Sequence, residues 1–168
     1  MTRLISHRGK LGPNDDEVNT EIMLANKLEI LSKRNIMMEI DFWITSKIIK
    51  IGHEYDTGFS ISSDLLIKYK DFILAHIKNP LDNYPYIFLS NLDIESFVHT
   101  NEPVIFTSKA NPFCHSRYCK NFKYSKDVSL IMPEIELSKE DLYNHNFLNP
   151  FLLTEHIDIF EKRNRGGV

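Results

Sequence analysis

The chain has 168 residues, 42% hydrophobic and 26% charged. These proportions match the soluble-globular average, exclude disorder and fibrous repeats, and predict one domain over residues 1–162 with a frayed tail at 163–168. Lys and Arg number 20 against 23 Asp and Glu, a net charge of −3, without the basic surplus of a nucleic-acid binder, so no nucleic-acid partner is expected. The longest apolar stretches, Ile36–Met38 and Val128–Met132, fall far short of the roughly 18 residues of a membrane span. Met1–Ser6 runs into polar His7-Arg8-Gly9 without the apolar core of a secretory signal, which sets a cytoplasmic location as the expectation. Cys114 and Cys119 sit close together and make no disulfide framework.

In chain order, Arg3–Ser6 reads as a short buried strand and Gly9–Asp16 as a turn rich in Gly, Pro and Asn. Asn19-Thr20 offers a helix N-cap with Glu21 in the first turn. Ile22, Ala25, Leu28 and Leu31 recur at helical spacing, so this helix is predicted to end near Arg34-Asn35. Ile36–Thr45 is rich in β-branched and aromatic residues and Lys47–Ile51 alternates basic with apolar, a pattern that predicts a β-hairpin. Ser62-Ser63-Asp64 caps a short helix through Tyr69, and Phe72–Ala75 forms the next buried strand. Ser96–Val98, Val104–Phe106, Val128–Met132 and Phe151–Leu153 complete the predicted strands, with a further helix starting at Ser138. Strands with intervening helices predict an α/β fold with a parallel sheet or barrel. Because the chain is shorter than the roughly 250 residues of an eight-stranded barrel, the expectation is a reduced TIM-type (β/α) barrel with its active site at the C-terminal strand ends.

The polar residues gather where such a fold collects function. The first strand ends in His7-Arg8, the second carries Glu39-Ile40-Asp41, the hairpin's return strand ends in Gly52-His53, and the third ends in His76-Ile77-Lys78. Two residues apart on a strand, Glu39 and Asp41 point to one face, a geometry suited to a divalent cation and costly for a core-facing pair. A reversal at Lys47 puts His53 opposite Asp41. His7 and His53 then flank the cation as imidazoles able to exchange protons with phosphate-ester oxygens, and Arg8 adds a bidentate phosphate fork.

His7-Arg8-Gly9, Asn19-Thr20, Glu39-Ile40-Asp41 and Gly52-His53-Glu54, in this order and spacing, resemble the glycerophosphodiester phosphodiesterase and phosphatidylinositol-specific phospholipase C superfamily. His76-Ile77-Lys78-Asn79, Phe97-Val98-His99, Phe106-Thr107-Ser108, Met132-Pro133-Glu134 and Thr154-Glu155-His156 look like a small branch of it. The resemblance implies a phosphoric diester hydrolase of lipid metabolism, with His7 and His53 as the acid/base pair and Glu39 and Asp41 holding a divalent cation such as Mg²⁺, Ca²⁺ or Mn²⁺. It also implies a small phosphodiester substrate and attack by a neighbouring hydroxyl, where one exists, to give a cyclic intermediate. His76 stands where the family usually has a third carboxylate ligand, and as a ligand it favours transition metals. Glu54 stands where the family usually has Asp. Only Tyr55–Ser63 separates the second histidine from the next helix, so the family's glycerol-binding segment is missing and glycerophosphodiester specificity is not implied. A phosphate-ester-binding protein without turnover is the alternative.

Other residues admit two readings. His76 is either a metal ligand or a satisfied core histidine, and Lys78 either contacts phosphate or snorkels from its strand. His99 fits a structural role or a substrate contact, and Glu134, at the end of a strand, either reaches the mouth or, as the preferred reading, is an exposed carboxylate. Cys114-His115 with Cys119 lacks the second ligand pair of a closed zinc site. Arg117, Lys120, Lys123 and Lys126, interleaved with Tyr118, Phe122 and Tyr124, read as a solvated basic loop.

Overall fold

The computed structural model describes residues 2–12, 14–99, 102–118, 125–135, 137–138 and 148–164. β1 (Arg3–His7) leads through the His7-Arg8-Gly9 turn to α1 (Glu21–Lys33). Thr20 caps α1 by accepting from the Met23 N–H, as its position in the sequence predicts. The buried seam of this helix is Leu24, Leu28 and Leu31, while Ile22, expected on the core face, is 75% exposed. Leu24 lies four residues before Leu28 and replaces Ile22 on that face. β2 (Met37–Ile44) turns into β3 (Ile49–Ile51), the predicted hairpin, and β4 (Phe59–Ser60) pairs with β3. α2 (Ser63–Tyr69) and a 3-10 turn at Lys70–Phe72 lead into β5 (Ile73–Ile77).

β4 had no counterpart in the sequence reading, and neither had three further elements. α3 (Tyr84–Asn91) carries Pro85 in its first turn, and β8 (Pro112–Cys114) is three residues long. The third is α4 (Ile157–Asn164), beyond which residues 165–168 lie outside the described part of the chain. β6 (Glu95–Phe97), β7 (Val104–Phe106), β9 (Ser129–Ile131) and β10 (Phe151–Thr154) fall on predicted strands. Cys119, Lys120, Phe122, Lys123, Tyr124 and most of the helix expected from Ser138 lie outside the described residues.

The strands form one ten-stranded mixed sheet. Its path runs from β6 through β5, β2, β1, β10, β9 and β8 to β7. β6, β5, β2, β1, β10, β9 and β8 are mutually parallel, whereas β7 pairs antiparallel with β8 and β3 antiparallel with β2. The barrel expectation is therefore overturned. The described residues contain four short α-helices, and the pairing of strands ends at β6 and β7 instead of closing. The physical reason lies after β6, where the chain makes an antiparallel β7–β8 pair in place of another strand–helix unit.

Side chains divide between two faces by the period-two rule for strands. One face packs against the helices through Leu4, Met38, Ile40, Phe42, Ile73, Ala75 and the α1 leucines. On the other, Ile5, Met37, Leu74, Phe97, Ile105, Phe113 and Leu153 come together from seven strands, which requires the sheet to curl around them. At the ends of the path, the Ser108 N–H donates to the Ser96 carbonyl (2.7 Å) and the Ser96 N–H to Ser108 Oγ (2.9 Å). Buried Glu95 accepts from Thr107 Oγ1 and from Asn111 Nδ2.

Candidate metal and phosphate site

The same alternation that makes the second cluster apolar makes the next layer polar. Two residues beyond Ile5 stands His7, beyond Met37 stands Glu39 and then Asp41, beyond Leu74 stands His76 and then Lys78, and beyond Leu153 stands Glu155. Each therefore rises on the face of its apolar predecessor, toward the C-terminal ends of the parallel strands. Strand pairing sets His7 beside Glu39 and Asp41 beside His76.

Glu39 and Asp41 are each 2% exposed and His76 is 8% exposed. Ligand atoms of these three residues lie within 4.8 Å of one another. His76 Nδ1 is 2.7 Å from Asp41 Oδ1 and 3.5 Å from Glu39 Oε1. Glu39 Oε2 and Asp41 Oδ1 are buried and accept no well-formed hydrogen bond from the described residues. Two carboxylates and an imidazole, two oxygens among them without a hydrogen bond, form a donor set that could hold a divalent cation.

Electrostatics tie this cluster together. Burial alone would raise the Asp41 carboxyl, but His76, Arg8 and Lys78 hold it well below the usual carboxylate range. For His76, burial pushes the imidazole down, and the opposing pull of Asp41 and Glu39 outweighs it, leaving the pKa above the ordinary histidine value. Arg8 Nε lies 3.0 Å and Lys78 Nζ 3.8 Å from Asp41.

The two other histidines flank the cluster. His7 Nε2 is 3.9 Å from Glu39 Oε2, and His7 Nδ1 is 2.8 Å from Glu155 Oε1. His53 Nδ1 lies 3.4 Å from Asp41 Oδ2 and 2.6 Å from an Arg8 terminal nitrogen. The hairpin register is one residue tighter than expected: the Gly52 N–H bonds the Asp41 carbonyl, and His53 follows just past the pair. The turn that presents Arg8 is constrained, with φ of 50° at Arg8 and 78° at Gly9. The positive φ at Gly9 favours glycine, and a Cβ there would press on the terminal methyl of Met38.

His7, Arg8, Glu39, His53, His76 and Lys78 line a cleft of about 300 Å³, and a neighbouring cleft of about 530 Å³ is bounded by Arg8, Glu39, Asp41 and His53. Sequence reading passed over Glu155 and misplaced Glu134. Burial raises the Glu155 carboxyl, but His7 and Lys10 outweigh it and hold the group below its usual range. Glu134 is half-buried instead of exposed, and its Oε1 accepts from the Glu155 N–H (2.8 Å) and Thr154 Oγ1 (3.0 Å). The signal for Glu155 was its place two residues beyond buried Leu153 on the last strand. Cys114 is buried, with its thiol directed at the His115 carbonyl.

Comparison with protein-family models, with curated proteins and with solved structures finds no match to this chain. Among the described residues, no helix is long and apolar enough to cross a membrane.

Proposed function

We propose that this chain is a metal-dependent hydrolase of a small phosphodiester. The observation that carries the reading is the placement of two imidazoles, His7 and His53, on either side of the Glu39–Asp41–His76 cluster, with Arg8 and Lys78 beside it. A divalent cation on Glu39, Asp41 and His76 would polarise the phosphoryl group and neutralise its developing charge.

Partner chemistry supports a proton-accepting role for His7 and leaves the proton-donating one to His53. A carboxylate only accepts, so Glu155 fixes the proton of His7 on Nδ1 and leaves Nε2 with a lone pair facing the cluster. His53 Nδ1 faces both Arg8, which only donates, and Asp41 Oδ2, which only accepts and can hold an Nδ1 proton when the ring is an imidazolium. His7 is then the base that takes a proton from the attacking water or hydroxyl, and His53, protonated on both ring nitrogens, the acid that gives one to the leaving oxygen and returns to the neutral imidazole. The products are a phosphomonoester and an alcohol, or a cyclic phosphate where the substrate's own hydroxyl attacks. Arg8 and Lys78 supply positive charge for the non-bridging oxygens.

Turnover of bis-p-nitrophenyl phosphate in a panel of Mn²⁺, Mg²⁺, Ca²⁺ and Zn²⁺ tests the proposal, and folded protein inert with every metal overturns it. One observation favours a second reading, a phosphate-ester-binding protein without turnover. Arg8, Lys78 and His76 already surround Asp41 with positive groups, so an anion could bind without a cation. Tight binding by calorimetry without hydrolysis selects that reading.

A further inference from the structure

One wall of the smaller cleft is built of rings, starting at His76 beside the two carboxylates. His76, Phe97 and His99 lie nearly parallel, with His76 4.8 Å from Phe97 and 4.7 Å from His99 at interplanar angles of 12° and 25°. His115 stands edge-on to His99 at 5.5 Å and 71°, and Tyr118 edge-on to His115. Phe97 and His99 sit two residues apart at the end of β6, and His115 directly follows β8, so two strands on opposite stretches of the sheet path present rings to one cleft. Phe97 is buried, whereas His99 is exposed while still lining the cleft. Aliphatic Ile131, Met132 and Leu153 complete that end.

A polyol needs a hydrogen-bonding partner for each hydroxyl that leaves water. Flat rings and aliphatic groups instead offer area to a planar π-system, with the Ser116 side chain also lining the cleft. Resting on the phosphodiester reading, we infer that this cleft takes a planar aromatic group esterified to the phosphate, a nucleobase-bearing or aryl ester and not a polyol ester. The phosphate lies at Arg8, Lys78 and the His7/His53 pair, and the ring lies along His99.

Binding of monoesters separates this inference from hydrolysis itself and from leaving-group reactivity. Calorimetric titration of the full chain, with and without Mn²⁺, uses adenosine 5′-monophosphate, phenyl phosphate and glycerol 3-phosphate. The expected result is binding of at least one planar ester about tenfold or more tighter than glycerol 3-phosphate, the ratio that about 1.4 kcal/mol gives. A tighter adenosine ester identifies a nucleobase, and phenyl phosphate at equal or higher affinity identifies a simple aryl ring. His99→Ala should collapse the planar-to-polyol ratio and His99→Phe should restore it, because stacking needs a ring and not an imidazole proton. Equal affinities for all three esters, no binding of any, a ratio untouched by His99→Ala, or loss without rescue by phenylalanine overturns the inference. Ester hydrolysis without ring preference sinks only this inference, and ring preference without hydrolysis sinks only the hydrolase reading.

Discussion

His76 is the residue on which the site turns, because it is both counter-ion and candidate ligand to the same two carboxylates. In the metal-free protein its pKa is raised, so its contribution to stability is complete below the unfolded value of 6.5 and is lost as pH rises through the folded one. Asp41 runs the other way: its pKa is lowered, so its contribution is complete above the unfolded value of 3.8 and is lost as pH falls through the folded one. Apo protein should thus draw full stability from the pair between those two values, with a decline on the alkaline side that His76→Gln abolishes in thermal melts across pH. A metal must displace the proton on His76. Titrating Mn²⁺ near neutral pH in buffers of different ionisation enthalpy should show proton release that His76→Gln removes. Glu39→Gln and Asp41→Asn should each reduce the melting-temperature rise produced by saturating metal, because a ligand bound only by the folded state stabilises it; an unreduced rise would mean that these carboxylates are not ligands. His76→Glu should move metal preference toward Mg²⁺ or Ca²⁺, read by competition titration. Glu155, which orients His7, calls for a separation of steps. Glu155→Gln should lower kcat by about 10²-fold with KM little changed, and Glu155→Asp should recover part of the loss. That partnership spans 148 positions of chain, so strand alternation could set Glu155 on the face of Leu153 but not name His7 as its partner, whereas the Glu39-x-Asp41 pair announced its shared face through strand alternation alone.

At the scale of elements, legibility followed length and capping. α1 was readable because Thr20 bonds the Met23 N–H and leucines recur along one face. β2 was readable because it is an eight-residue run of apolar and aromatic residues interrupted by two acids. α3 escaped because it spans just eight residues and leaves Tyr84 and Ile87 exposed, which blurs its helical stripe. β8 escaped because Pro112 opens a three-residue strand, and strand order cannot be read from periodicity at all. The parallel αβ alternation of the first half misled the architectural expectation for the second, where β7 reverses direction against β8. Element stability should follow the same packing. Leu28→Ala, at a fully buried position on α1, should cost about 2–5 kcal/mol, and Thr20→Ala about 1 kcal/mol, in denaturant titrations.

Across the whole molecule, the two ends of the sheet path meet through few groups: Ser96 with Ser108, and Glu95 with Thr107 and Asn111. Each of the two serine bonds spans 12 positions of chain, and together with the Glu95 contacts they hold the curl around the apolar cluster. Glu95 begins the strand that ends in Phe97 and leads to His99, so this junction anchors the strand that carries the ring wall and lies apart from the Glu39–Asp41–His76 cluster in the chain. Thr107→Val should remove one arm of the junction, cost about 1–3 kcal/mol by leaving buried Glu95 short of a donor, and speed hydrogen exchange of the Ser96 and Ser108 amides ahead of those in β1 and β2. The protein would then loosen from one seam, like a cuff unbuttoned at a single point, with the strand bearing Phe97 released before the Glu39–Asp41–His76 cluster came apart.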